Sequence, residues 1–128
     1  MESNEMMTNK KTVFIVDDDE SICRALKLLL TAYGFQVSTF LSAEKYFSAI
    51  QDSEKGCLVL DLHMPELNGW EVLKRVVKTG SKRPVIIISA DENGGLKEQA
   101  LKSGAVGFFQ KPVKDRELID LINKTYLN

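Results

Sequence analysis

Short apolar runs that stop abruptly at a chemically active residue recur along this chain. Val13-Phe14-Ile15-Val16 runs into Asp17-Asp18, Leu58-Val59-Leu60 into Asp61, and Val85-Ile86-Ile87-Ile88 into Ser89. Phe108-Phe109-Gln110 runs into Lys111-Pro112. Such runs read as buried strands of a parallel sheet, apolar on both faces. The polar ends of parallel strands meet along one edge of the sheet. Three carboxylates, a hydroxyl and an ammonium are thereby predicted to share one site.

The intervening segments carry helical spacing. Residues 20–33 predict a helix with Ile22, Ala25, Leu26, Leu29 and Tyr33 inward, ended by Gly34. Residues 36–40 read as a short strand. Ser42 is a candidate N-cap for a helix carrying Ala43, Tyr46, Phe47 and Ile50. Met64-Pro65 marks a loop, because the residue before proline is pushed out of helical geometry. Asn68-Gly69 opens a third helix with Val72, Leu73, Val76 and Val77 inward, closed by Gly80.

Pro84 stands at the first position of the strand that follows. Asn93-Gly94-Gly95 leads into a helix with a sparse inward set of Leu96, Ala100 and Leu101, predicted to be the least firmly packed. Residues 105–109 form the last strand. Residues 114–126 form the last helix, with Leu118, Ile119, Leu121 and Ile122 inward. Five strands alternating with five helices predict a doubly wound α/β fold, an open parallel sheet with helices on both faces. Ligands of such sheets bind beyond the carboxyl ends of the strands, where strand order reverses. If the first and third strands are neighbours, Asp17, Asp18 and Asp61 converge there.

Bulk properties exclude more than they assign. The chain has 128 residues, 44% hydrophobic and 27% charged, which suits one globular domain. A net charge of -1 leaves no electrostatic footprint for nucleic acid or an anionic membrane. No apolar stretch is long enough to span a bilayer. Residues 1–11 lack the apolar segment of a secretory signal and are expected to be a disordered tail, leaving residues 12–128 as the domain. Cys23 and Cys57, without a CxxC and with a single histidine (His63), read as reduced core thiols of a cytoplasmic protein and exclude a zinc site.

The charges of the shared edge do not balance. Two carboxylates 4 Å apart cost roughly 4 kcal/mol at an effective dielectric of about 20. Lys111 offers one positive charge against three negative ones. A hard divalent cation completes the set, and oxygen ligands without Cys or His favour magnesium or manganese. A metal with a free face beside a lysine and a serine hydroxyl suits a phosphoryl group, with one carboxylate as nucleophile. Each residue alone has a plainer reading. Acidic residues at a helix start favour the helix dipole, Asp61 can cap a turn, and Lys111 can be a solvated loop lysine.

The sequence resembles the receiver domain of two-component response regulators. The matching pieces are Val16-Asp17-Asp18, Asp61-Leu62-His63-Met64-Pro65 with Asn68-Gly69 following, Ile88-Ser89-Ala90, and Gly104-Ala105 through Phe108 to Lys111-Pro112. They span about residues 12 to 126. The resemblance implies a flavodoxin-like (βα)5 sandwich with strand order 2-1-3-4-5. It implies Asp61 as phosphoacceptor, Asp18 as a direct magnesium ligand beside Asp61, Asp17 acting largely through water, and the His63 backbone carbonyl completing the metal site. Lys111 would pair with Asp61 or its phosphoryl group, across a cis bond to Pro112.

Ser89, with Ala90 beside it, would contact the phosphoryl group, and Phe108 would turn inward in response. The surface of helix 4, strand 5 and helix 5 would then change for a downstream partner or a homodimer. The implied phosphodonor is a histidine kinase or a phosphotransfer protein. Phe108 stands where a tyrosine is common. His63 and Asp91, two residues after Asp61 and Ser89, would flank the site and tune dephosphorylation. Asp19 matches no role and reads as a helix-start residue.

Two other readings compete. Asp17-x-Asp19-x-Ser21 after a strand resembles the nucleophile motif of haloacid-dehalogenase-type phosphatases, with Asp17 as nucleophile. A degenerate receiver acting as an unphosphorylated binding module is the other. The chain stops soon after its last helix, so the expectation is a stand-alone regulator or a receiver cut from a longer protein.

Overall fold

The strands lie on the expected apolar runs, except that the fourth begins at Val85 rather than Pro84 and the last begins at Gly107 rather than Ala105. In this computed structural model, which describes residues 11–64, 68–80, 82–91 and 94–127, they are β1 (Thr12–Val16), β2 (Gln36–Phe40), β3 (Cys57–Asp61), β4 (Val85–Ser89) and β5 (Gly107–Gln110). Between and after them lie α1 (Glu20–Ala32), α2 (Ala43–Ala49), α3 (Gly69–Lys78), α4 (Leu96–Lys102) and α5 (Asp115–Thr125). All four strand pairs are parallel, and the sheet order is β2-β1-β3-β4-β5. β1 and β3 are therefore neighbours, and the switch point lies beyond their carboxyl ends.

Strand alternation divides the core in two. Phe14, Val16, Leu58, Leu60, Val85 and Ile87 pack against α2, α3 and α4, through Tyr46, Val72, Leu73, Val76, Leu96 and Ala100. Val13, Ile15, Cys57, Val59, Ile86 and Ile88 pack against α1 and α5, through Cys23, Leu26, Leu30, Leu118, Ile119 and Ile122. β3 and β4 are buried along their whole length, as strands covered on both faces must be. Both cysteines are buried and free. No described helix is long and apolar enough to cross a membrane.

Several helix faces differ from the expected ones. α1 buries Cys23, Leu26 and Leu30, while Ala25 and Tyr33 are exposed. Apolar residues run most of the way round this helix, so spacing alone left its rotation open. Ile22, Ala25 and Leu29 instead line a groove of about 500 Å³ with Pro112 and Val113. Val77 and Leu101, expected inward, are 49% and 43% exposed. α4 has seven residues, no side-chain cap and only Leu96 and Ala100 buried, in keeping with its sparse apolar face.

The expected disordered tail lies outside the described residues except for Lys11. Its carbonyl accepts the Gln36 N–H at 2.8 Å, and its ammonium reaches Asn123 Oδ1 at 3.2 Å.

Candidate functional site

Register brings the acids together. Val16 pairs with Leu60, so Asp17 and Asp61 emerge side by side one step further along. Asp61 pairs with Ile88, and the Leu62 N–H bonds to the Ile88 carbonyl at 3.0 Å. The Lys111 N–H bonds to the Ser89 carbonyl at 2.7 Å, which delivers the lysine to the same edge. The Asp17 N–H is held by the Phe40 carbonyl at 3.1 Å. Asp17, Asp61 and Ser89 are buried and Asp18 is exposed. Carboxylate oxygens of Asp17, Asp18 and Asp61 all lie within 4.8 Å of one another.

Lys111 is the cation of this cluster. Its Nζ lies 2.9 Å from Asp17 Oδ2 and 3.4 Å from Asp61 Oδ1. Burial works against its charge, but the hydrogen bond and the two carboxylates outweigh this and raise its pKa. The pKa of Asp61 is also raised, by burial first and by Asp17 second, with Lys111 and the His63 backbone N–H pulling the other way. Asp61 is thus an acid held in a place that penalises its charge, which is the condition a divalent cation relieves. The donor set is oxygen only and carries more negative charge than Lys111 neutralises, so it fits a hard cation.

The remaining residues frame the cluster. Asp19 is the N-cap of α1, accepting from the Ser21 and Ile22 N–H groups, as a helix-start residue should. The Ser21 hydroxyl also donates to it, and these bonds hold the Asp19 pKa below the usual carboxylate value. The Asp19 N–H in turn fixes Asp17 Oδ1 at 2.9 Å. The Lys111-Pro112 peptide is cis. The Ser89 hydroxyl accepts the Asp91 N–H at 3.0 Å. Ala90 is exposed, and Phe108 is half-buried against the α2–α3–α4 side of the core. His63 Nε2 lies 3.5 Å from Asp91 Oδ2, so the two flanking residues do meet.

Two residues matter here beyond what the sequence reading assigned. Gly69 opens α3 directly beneath the site, and its N–H bonds to the Leu62 carbonyl at 2.7 Å. A Cβ there would sit 2.6 Å from Leu62 Cα and 2.7 Å from the Asp61 carbonyl oxygen. The Asn-Gly pair was the available signal, but a helix start alone does not reveal this approach. Arg83 is a buried cation at the opposite edge, donating to the Tyr46 hydroxyl at 2.6 Å and to the carbonyls of Gln51 and Glu54. It ties the loop before β3 to α2. Pro65, of the Met64-Pro65 loop, lies outside the described residues.

Comparison with known proteins agrees with this geometry. Residues 13–123 match the family model described as the response regulator receiver domain. The chain is similar to the response regulator protein TodT of Pseudomonas putida, at 35% identity over 117 residues covering 91% of this chain and 52% of TodT. It is 36% identical to the transcriptional regulatory protein FixJ of Bradyrhizobium diazoefficiens over 116 residues, covering 91% of this chain and 57% of FixJ. The chain spans about half the length of the curated relatives it matches. Among solved structures, FixJ-N superposes with a TM-score of 0.82 at 35% identity, covering 91% of this chain and 94% of that one. The response regulator StyR gives 0.83 at 35% identity, covering 91% and 59%.

Proposed function

The chain belongs to the response regulator receiver domain family, a family of signalling domains, and on that premise we propose that it is switched by phosphorylation of Asp61. The observation that carries this reading is the convergence of Asp17, Asp18 and Asp61 at the β1–β3 switch point, with Lys111 against Asp17 and Asp61. Asp61 is the nucleophile. Its carboxylate oxygen forms a bond to phosphorus as the donor's P–N bond breaks, and the leaving imidazole is the donor's own. Lys111 gives up part of its pairing with Asp17 and binds a phosphoryl oxygen.

Asp18 and Asp61 would hold Mg2+ (or Mn2+) directly, with Asp17 acting through water and the His63 backbone carbonyl completing the set. When bound, the ion screens the phosphoryl charge. The phosphodonor is a histidine kinase or a phosphotransfer protein. The chain promotes only its own phosphorylation and the later hydrolysis of the acyl phosphate. His63 and Asp91 tune that hydrolysis by ordering or excluding water at the mouth of the site.

The Ser89 hydroxyl moves toward the new phosphoryl oxygens beside Ala90, and Phe108 turns into the vacated space. α4, β5 and α5 then present a different surface to a partner or to a second copy. Phosphate acts here as a ligand that favours one of two conformations. The family match over residues 13–123 leaves the dehalogenase-type alternative without support.

Mass spectrometry tests the reading. Incubation with Mg2+ and a small phosphodonor is expected to add one phosphoryl mass to the wild type and none to Asp61→Ala. An adduct that survives Asp61→Ala refutes it, and so does the absence of an adduct on the wild type, which leaves the unphosphorylated binding module.

A further inference from the structure

The turns after β3 and β4 meet through one side-chain contact that bypasses Lys111. The His63 imidazole reaches the Asp91 carboxylate, with Nε2 and Oδ2 3.5 Å apart. The Asp91 N–H then donates to the Ser89 hydroxyl at 3.0 Å. The ring closes through the sheet, where Leu62 bonds to Ile88, the neighbour of Ser89. One circuit therefore joins the turn after the phosphoacceptor to the switch hydroxyl, with His63 and Asp91 as its side-chain-to-side-chain step.

We infer that His63 and Asp91 form a latch that holds the Ser89 hydroxyl in its resting position and so opposes activation. Ser89 is fully buried, so its hydroxyl cannot trade a lost partner for water. For that hydroxyl to turn toward a phosphoryl group on Asp61, its bond from the Asp91 N–H must lengthen or break. Movement of the 89–91 turn relative to the 61–63 turn releases that bond. The imidazole–carboxylate contact resists this relative movement. Both residues are positioning residues, acting on Ser89 through the turn. α4 follows this turn, and of its seven residues Leu96 and Ala100 are buried, so a small apolar face holds it as the turn shifts.

The inference rests on Asp61 being the phosphoacceptor, and the test separates the two. Fluorine NMR would follow beryllofluoride binding with Mg2+ in the wild type, His63→Ala, Asp91→Asn and the double variant. Asp91→Asn keeps the N–H that bonds to Ser89 and removes only the charge. Each single variant is expected to bind beryllofluoride about two- to fivefold more tightly, the range open to a partly exposed pair. The double variant should bind no more tightly than the better single one, since both break the same contact.

In the ligand-free variants, amide resonances of α4 should move toward their beryllofluoride-bound positions. Unchanged or weaker affinity overturns the latch. So do fully additive effects, which would mark a general gain in anion affinity from the lost charge. Absence of a fluoride adduct on the wild type overturns the phosphoacceptor reading and the latch with it. A normal adduct with unaltered affinities removes the latch alone.

Discussion

Lys111 Nζ sits nearer to Asp17 Oδ2, at 2.9 Å, than to Asp61 Oδ1, at 3.4 Å. The lysine proposed to grip the phosphoryl group is thus primarily the counter-ion of a proposed metal ligand. A divalent cation and this ammonium compete for the same carboxylates. Lys111→Met is expected to tighten Mg2+ binding roughly fivefold, as about 1 kcal/mol of repulsion is removed. The same variant should be phosphorylated more slowly, because one phosphoryl contact is lost. Trp70, half-buried at the start of α3, gives a fluorescence signal for the metal titration, and mass spectrometry gives the phosphorylation rate. Equal losses in both would mean that the lysine only supports the fold.

Asp61 supplies a pH dependence. Its pKa is raised in the folded protein by burial and by Asp17, so the folded state holds that proton more tightly than the unfolded one. Stability linked to this group is fully present below the unfolded carboxylate pKa and is lost as pH rises through the folded value. Metal-free Asp61→Asn should therefore be more stable than wild type at pH 7, on the order of 1 kcal/mol, with the gain shrinking toward pH 4. Saturating Mg2+ should reverse the difference by stabilising only the wild type, by about 2.7 kcal/mol at one hundred times its dissociation constant. Urea denaturation at both pH values, with and without Mg2+, reads all of this.

Much of this architecture was legible because strand burial and strand ends are local properties. Three apolar runs stop at Asp17, Asp61 and Ser89 because the backbone leaves the core there, and parallel pairing then gathers those ends without further information. Helix rotation was less legible. α1 carries apolar residues at Ile22, Cys23, Ala25, Leu26, Leu28, Leu29 and Leu30, and only the packed sheet decides that Cys23, Leu26 and Leu30 go inside. Val77 and Leu101 extend apolar stripes past the edge of the core in the same way. Arg83 was not legible, since its burial depends on loop carbonyls that no spacing rule locates. The meeting of Lys111 with Asp17 rather than chiefly with Asp61 is likewise a tertiary outcome.

Gly69 is expected to be intolerant of any side chain. The atoms a Cβ would meet at 2.6–2.9 Å are backbone atoms of Asp61 and Leu62, which cannot swing aside. Gly69→Ala must push α3 away from the end of β3, at a cost of about 1–3 kcal/mol from overpacking. The displacement falls beside the phosphoacceptor, so the variant should lose phosphorylation rate even where it remains folded. A thermal melt matching wild type together with an unaltered rate would show that α3 has slack that this close contact denies.

The cysteines should be silent. Burial pushes the Cys57 thiol up to about 12 and the Cys23 thiol up to about 11, the latter also facing Asp17. Thiolate is the reactive form, so neither group presents a nucleophile near neutral pH. Native protein at pH 7.5 is expected to react with an aromatic disulfide reagent only as fast as it opens, and both thiols should appear in urea. Rapid labelling of one thiol in the folded protein would place it in an accessible pocket instead.

Phe108 bears on how tightly the switch depends on phosphate. It is half-buried against the side of the core that carries α4, two strand positions before Gln110 and three residues before Lys111. A tyrosine at this position has a hydroxyl that gains water or a polar partner when the ring points out. Phenylalanine has no such gain, so its inward rotamer is relatively more populated before any phosphoryl group arrives. Phe108→Tyr should therefore show the larger phosphorylation-induced shifts of α4 amide resonances, because its resting state lies further from the active one. Equal shifts in the two proteins would mean that the ring follows α4 rather than biasing it.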